Sequence, residues 1–179
     1  EQHLLLREGF SDDTIIADVV IDWDIGPVVL TSVTSNIDRS IVVSRDASAL
    51  THSVSADLGY NPAAFAIPSN LVDTTELNSF TQELRLASDH EGPFEWVVGA
   101  FYAQIDRFYT QRLPTPGYDA FTDARFGAGT ATATTQVGFP RNSPYAADLP
   151  YDIRQTAVFG EGSYEITPQF TVTAGGRYY

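Results

Sequence analysis

The chain has no cysteine and no methionine among its 179 residues. Without cysteine there are no disulfides, no thiolate metal sites and no cysteine nucleophile, a state compatible with a bacterial envelope. Basic residues are few, 10 against 23 acidic ones, and the net charge is −13. A surface for nucleic acid needs clustered Lys and Arg, and none is present, so that partner class drops out. No apolar run approaches the roughly 18 residues of a membrane-spanning helix. Barrel strands remain open, since each needs only about 9–11 residues with every second one apolar. No secretory leader is present before Glu1, which reads as the start of a mature or truncated product.

Signatures of catalysis are absent as well. There is no G-x-S-x-G elbow, and Gly160-Glu161-Gly162 and Gly127-Ala128-Gly129 are too short for a phosphate loop. His3, His52 and His90 are isolated and read as exposed loop residues. Asp18, Asp22 and Asp24 share a strand face, but a strand spaces such carboxylates about 6.6 Å apart, too far to converge on a hard cation. We therefore assign no catalytic residue, no metal and no cofactor, and expect a protein that is not an enzyme.

What is present is alternation. An apolar content of 43% with 18% charged residues fits a folded chain. Around the Asp89-His90-Glu91-Gly92-Pro93 break, Phe80, Gln82, Leu84 and Leu86 oppose Thr81, Glu83 and Arg85. In the second arm Val97, Phe101, Ala103 and Ile105 oppose Gln104 and Asp106, with Trp96, Val98 and Tyr102 blurring the pattern. The same construction precedes it: Ile15, Ala17, Val19, Ile21, Trp23 and Ile25 oppose Thr14, Asp18, Asp22 and Asp24. After Gly26-Pro27, Val29, Val33 and Ile37 oppose Ser32, Thr34, Asn36 and Asp38. A third hairpin turns at Thr167-Pro168. Six strands are expected at 14–25, 28–43, 76–88, 94–111, 154–166 and 169–179.

The stretches Ser44 to Thr75 and Arg112 to Tyr151 are far longer than ordinary connections. They are expected to be irregular, with Asp119 to Gly127 the one short helical candidate. Tiny and large connections alternate, which puts both large loops on one side. The fold class predicted is all-β: antiparallel long-stranded hairpins forming part of a transmembrane β-barrel. Arms this long exceed the roughly 5–6 residues usual in soluble sheets, although a soluble β-fold alternates in the same way.

Several segments carry a family resemblance. Phe80-Thr81-Gln82-Glu83-Leu84-Arg85-Leu86-Ala87-Ser88, Trp96-Val97-Val98-Gly99-Ala100-Phe101-Tyr102, Thr156-Ala157-Val158-Phe159-Gly160-Glu161-Gly162-Ser163-Tyr164-Glu165-Ile166-Thr167 and Phe170-Thr171-Val172-Thr173-Ala174-Gly175-Gly176-Arg177-Tyr178 resemble the barrel region of TonB-dependent outer-membrane receptors. Leu30-Thr31-Ser32-Val33-Thr34 is similar to a strand preceding these in that family. The resemblance extends from about Thr14 to the end; Gly176 stands where the family more often has an apolar side chain. It implies a 22-stranded barrel with an N-terminal plug domain and uptake driven through TonB. No plug or TonB-contacting segment is present here, and an open six-stranded sheet would leave two edges bare to lipid. The chain is therefore expected to be a mid-barrel fragment of a bacterial outer-membrane receptor for a scarce nutrient of the siderophore, cobalamin or saccharide class. Its expected partners are outer-membrane lipid, the TonB system through a plug not in this chain, and a small ligand. A passive porin-like or adhesive barrel and a soluble β-rich binding domain are the alternatives.

Two groups of site residues follow. Glu83, Arg85, Glu161 and Arg177 form either a lumen charge network or simple cross-strand ion pairing. Tyr118, Phe121, Phe126, Phe139, Tyr145 and Tyr151 give the second large loop aromatics that either face a ligand or pack on one another.

Overall fold

In a computed structural model that describes residues 4–136 and 138–179, the alternating segments form one antiparallel meander. Its strands are β1 (Gly9–Ile25), β2 (Val28–Asp46), β3 (Asn70–Ser88), β4 (Phe94–Arg112), β5 (Ala146–Thr167) and β6 (Phe170–Tyr178). The sheet order is β1-β2-β3-β4-β5-β6, with β1 and β6 at its ends. β1 to β5 run 17 to 22 residues, well beyond the usual strand of about 5–6. Barrel closure and a surrounding membrane lie outside what this sheet displays. His3 lies outside the described residues.

The two long connections are not irregular. The first holds α1 (Ser48–Asp57) and a 3₁₀ turn (Pro62–Ala66); the second holds α2 (Tyr118–Phe126) and α3 (Thr130–Gln136). Only α2 matches the expected helical stretch. α1 escapes an apolar-periodicity scan because its buried positions are Ser48, Thr51 and Ser55. That spacing is helical, but the side chains are hydroxyls.

The chain divides into two compact units. A strand unit comprises Thr14–Asp38, Leu77–Arg107 and Tyr151–Tyr179; a loop unit comprises the N-terminal residues to Asp13, Arg39–Glu76 and Phe108–Pro150.

In the strand unit the turns are short. Gly26 takes φ +64 at the first, the left-handed value that two-residue hairpin turns require. The Asp89 amide donates to the Pro27 carbonyl at 2.8 Å, and the Glu165 amide to the Pro93 carbonyl at 2.7 Å. β5 and β6 pair from Val158↔Tyr178 to Thr167↔Phe170, with an irregularity between Glu165 and Thr167.

Cross-strand contacts sort the two faces. The Thr31 hydroxyl donates to Asp22 Oδ1 at 2.6 Å, so Asp22 and Thr31 share a face. Thr34 Oγ1 donates to Gln82 Oε1 at 2.6 Å, and Gln82 Nε2 to Ser32 Oγ at 3.0 Å, on the opposite face. Phe80 and Tyr102 lie on the Gln82 face with ring centroids 6.4 Å apart. Alternation then gives that face Ile15, Val19, Ile21 and Trp23 on β1, Leu84 and Leu86 on β3, and Val98 on β4. These rows are bare: Ile15 is 71% exposed and Trp23 63%. No second sheet covers them among the described residues.

Two strands depart from a clean division. β2 sets Ser32 and Thr34 on the apolar face, so Val29, Val33 and Ile37 join Asp22. β4 sets Phe101 among polar neighbours, where the Arg177 guanidinium lies 5.3 Å from its ring centroid.

Candidate functional site

The charged residues singled out in the strand unit do not form one network. Arg85 Nε sits 3.0 Å from Glu83 Oε1, two residues away on the same strand. Arg85 is exposed and Glu83 partly so, and the pair contributes little on its own. Arg177 is opposite Phe159 in the β5–β6 register, and Glu161 is opposite Gly175. The guanidinium stacks over the rings of Tyr179 (4.8 Å to the centroid), Phe101 (5.3 Å) and Phe159 (5.7 Å). A delocalised planar cation suits such aromatic faces. Among the described residues no carboxylate comes within ion-pair distance of Arg177, Glu161 included.

Gly99 makes room for this stack. A Cβ there would meet the Phe159 ring and stand 2.8 Å from the Leu84 carbonyl oxygen. The glycine in the Trp-Val-Val-Gly-Ala-Phe segment thus lets Phe159 lie directly on the β4 backbone.

The six aromatics expected to face a ligand separate by role. Tyr118 is buried and, with Tyr60 and Ala64, forms the core of the loop unit, against which Phe121 packs. The Tyr60 and Tyr118 rings are 5.3 Å apart, and the Tyr118 hydroxyl is 3.3 Å from Ser55 Oγ. Burial pushes the Tyr118 hydroxyl up to about 12. These two aromatics pack the loops together. Phe126, Phe139 and Tyr145 keep substantial exposure. Phe126 meets Tyr60 edge-on at 5.7 Å, and Tyr145 donates from its hydroxyl to Gln111 Oε1 at 3.2 Å. Tyr151 is not a loop residue: it lies within β5, in the strand unit, with the Arg107 guanidinium 5.4 Å from its ring centroid.

Polar contacts that sequence reasoning missed hold the loop unit together. Asp73, buried on β3, accepts from Arg45 and, at 2.8 Å, from Gln111 Nε2. Gln111 in turn accepts from Tyr145, giving a chain Arg45–Asp73–Gln111–Tyr145 that joins three strands to the second long connection. Asp46 accepts from the amides of Leu5, Leu6 (3.0 Å) and Ser48 (2.9 Å). Hydrogen bonds, first from Ser48, hold its carboxyl down to about 2. Ser69 and Thr115 join the two connections through hydroxyls 2.8 Å apart. Single Ser, Thr and Asp residues in polar stretches leave no periodic signal.

Among the described residues no three His, Asp or Glu side chains converge on a space fit for a metal ion. His52 Nε2 donates to the Ile67 carbonyl at 3.0 Å, within the loop unit. No protein-family model and no curated protein matches this sequence.

Proposed function

We propose that this chain is a segment of the barrel of a TonB-dependent outer-membrane receptor, taking up a scarce nutrient of the siderophore, cobalamin or saccharide class by energy-coupled transport. The observation that carries the reading is the bare apolar face of the strand unit. Ile15, Val19, Ile21, Trp23, Val158, Val172 and Tyr178 are all exposed on a single-layer sheet. Water is a poor neighbour for that many large apolar side chains, whereas hydrocarbon is a good one. Strands of 17 to 22 residues exceed what a tilted crossing requires. Short turns in the strand unit against long, folded connections in the loop unit match the asymmetry of outer-membrane barrels.

On this reading Asp22, Thr31, Glu83, Arg85 and Arg177 face the watery bore. The loop unit meets solvent and ligand, and TonB acts through a plug domain elsewhere in the protein. The chain's role is binding and passage, with no chemical step.

The test uses the lack of cysteine in this stretch, with any cysteine elsewhere in the protein first replaced by serine. Single cysteines replace Val19 or Val172 on the apolar face and Asp22 or Thr173 on the other, in the full-length protein in outer-membrane vesicles. A hydrocarbon-partitioning thiol reagent should label the first pair, and a charged water-soluble maleimide the second. Equal labelling of all four by the charged reagent would exclude lipid contact. Uptake that persists after loss of the TonB system would favour a passive barrel instead.

A further inference from the structure

Two arginines of the strand unit, Arg85 and Arg154, each sit beside a carboxylate two residues away on the same strand, at 3.0 and 3.3 Å. Arg177 has rings instead. Its guanidinium lies over Tyr179, Phe101 and Phe159, and among the described residues no hydrogen bond or ion pair engages it. In a chain with 23 acidic against 10 basic residues, a carboxylate partner would be easy to supply.

The rings are in place without a guest. Phe159 rests on the β4 backbone at Gly99, and the β5–β6 register sets Arg177 directly opposite Phe159. Phe101 and Phe159 are half-buried, while Arg177 and Tyr179 are exposed. Aromatic faces attract a cation but are poor hydrogen-bond acceptors, so the guanidinium donors keep their capacity. Those donors form a planar fork that matches the two oxygens of a carboxylate. The adjoining rings offer apolar contact to the body that carries it.

We infer that Arg177, with Phe101, Phe159 and Tyr179, binds the carboxylate of a solute with a flat apolar body. The inference deepens the uptake reading and rests on its assignment of this face to the watery bore.

The test reads Arg177 directly. The full-length protein in outer-membrane vesicles is treated with phenylglyoxal, which modifies guanidinium groups, and peptide mass spectrometry follows Arg177 beside Arg141 of the loop unit. Saturating 2-naphthoate should slow modification of Arg177 at least about fivefold, because only the free site reacts. Arg141 should be unaffected, and the uncharged isostere 2-naphthamide should protect neither. Phe101→Leu, which keeps the charge and removes one ring, should raise the naphthoate concentration for half protection about threefold. Protection by naphthamide or by inorganic phosphate equal to that by naphthoate overturns the site, as does slow modification of Arg177 with no probe present, which would mark a carboxylate of the protein itself as its partner. Thr173→Cys, on the same face through its hydroxyl contact with Ser163, reports separately on water. Labelling there by the charged maleimide without protection of Arg177 overturns the carboxylate site alone; no labelling overturns the bore reading and the site with it.

Discussion

Asn142 and Asp119 clasp each other across the second long connection. The Asn142 amide donates to Asp119 Oδ1 at 2.8 Å, and the Asp119 amide donates to Asn142 Oδ1 at 3.1 Å. The Asn142 side chain also accepts from the Gly117 amide at 3.2 Å, and its carbonyl accepts from the Thr115 amide at 2.7 Å. Arg141 adds an ion pair to Asp119 at 2.8 Å. Among the described residues Asn142 is the non-glycine residue that takes a left-handed backbone, φ 51, which asparagine tolerates better than most residues.

Asn142→Ala removes the side-chain acceptor and leaves the left-handed strain in place. The expected loss is about 2–3 kcal/mol, from a backbone penalty of roughly 1–2 and a net hydrogen bond of about 1. Asn142→Gly relieves the strain and should cost less than half as much. Limited proteolysis between residues 113 and 145 reads the difference; equal resistance of the alanine protein and the parent would refute it.

Gly99→Ala should be among the most damaging small substitutions. The new methyl meets the Phe159 ring and the Leu84 carbonyl, and overpacking of this kind costs about 1–3 kcal/mol. Shortening the ring with Phe159→Leu in the same protein should recover only part, because the carbonyl stays. A thermal midpoint for Gly99→Ala matching the parent would contradict the close approach.

Tyr118 and Phe126 should part company when truncated. Tyr118→Ala empties the loop-unit core and should cost about 3–5 kcal/mol, whereas Phe126→Ser, half-exposed, should cost about 1 or less. Tyr118→Phe, which leaves the buried Ser55 hydroxyl without its 3.3 Å partner, should fall between the two, at about 1–3 kcal/mol. Denaturant midpoints decide, and similar losses for Tyr118→Ala and Phe126→Ser would unseat Tyr118 from the core.

Asp46 sets an acid limb on stability. Its folded pKa, about 2, lies below the ordinary 3.8. The stabilisation is therefore complete above pH 3.8 and disappears as pH falls towards 2. Asp46 lies in the loop unit, beyond the stretches proposed to cross hydrocarbon, and its partial exposure lowers the effect to about 1 kcal/mol. Asp46→Asn should flatten the stability profile in that window only. An identical acid limb in both proteins would remove Asp46 as its source.

Much of the strand unit was legible because period-two alternation is a direct image of a two-faced sheet. Ile15 to Ile25 and Phe80 to Leu86 declared their faces from residue type alone. β2 did not, because placing Ser32 and Thr34 beside Gln82 depends on cross-strand register, which no single strand encodes. Strand extents were hidden for local reasons. Pro150 reads as a break, yet it sits in β5 outside the Val158–Thr167 stretch that pairs with β6. β3 begins at Asn70 with no alternation to announce it.

The candidate site was legible only as an inventory of residue types. Its aromatics stood out, but their division into packed Tyr118 and exposed Tyr145 follows from α1, whose buried side is hydroxylated. The pairing of Arg177 with three rings was equally invisible, since Phe101, Phe159 and Tyr179 lie far apart in the chain.

Among the described residues the largest fully buried side chains are Thr115, Ser55 and Ser69, all in the loop unit. Beside the aromatic Tyr60–Tyr118 core, these hydroxyls add polar surface to what unfolding exposes, and polar and apolar surface contribute to the hydration heat capacity with opposite signs. Replacing Ser55, Ser69 or Thr115 by an apolar residue of similar size should therefore enlarge the heat-capacity step of unfolding and sharpen the curvature of stability with temperature.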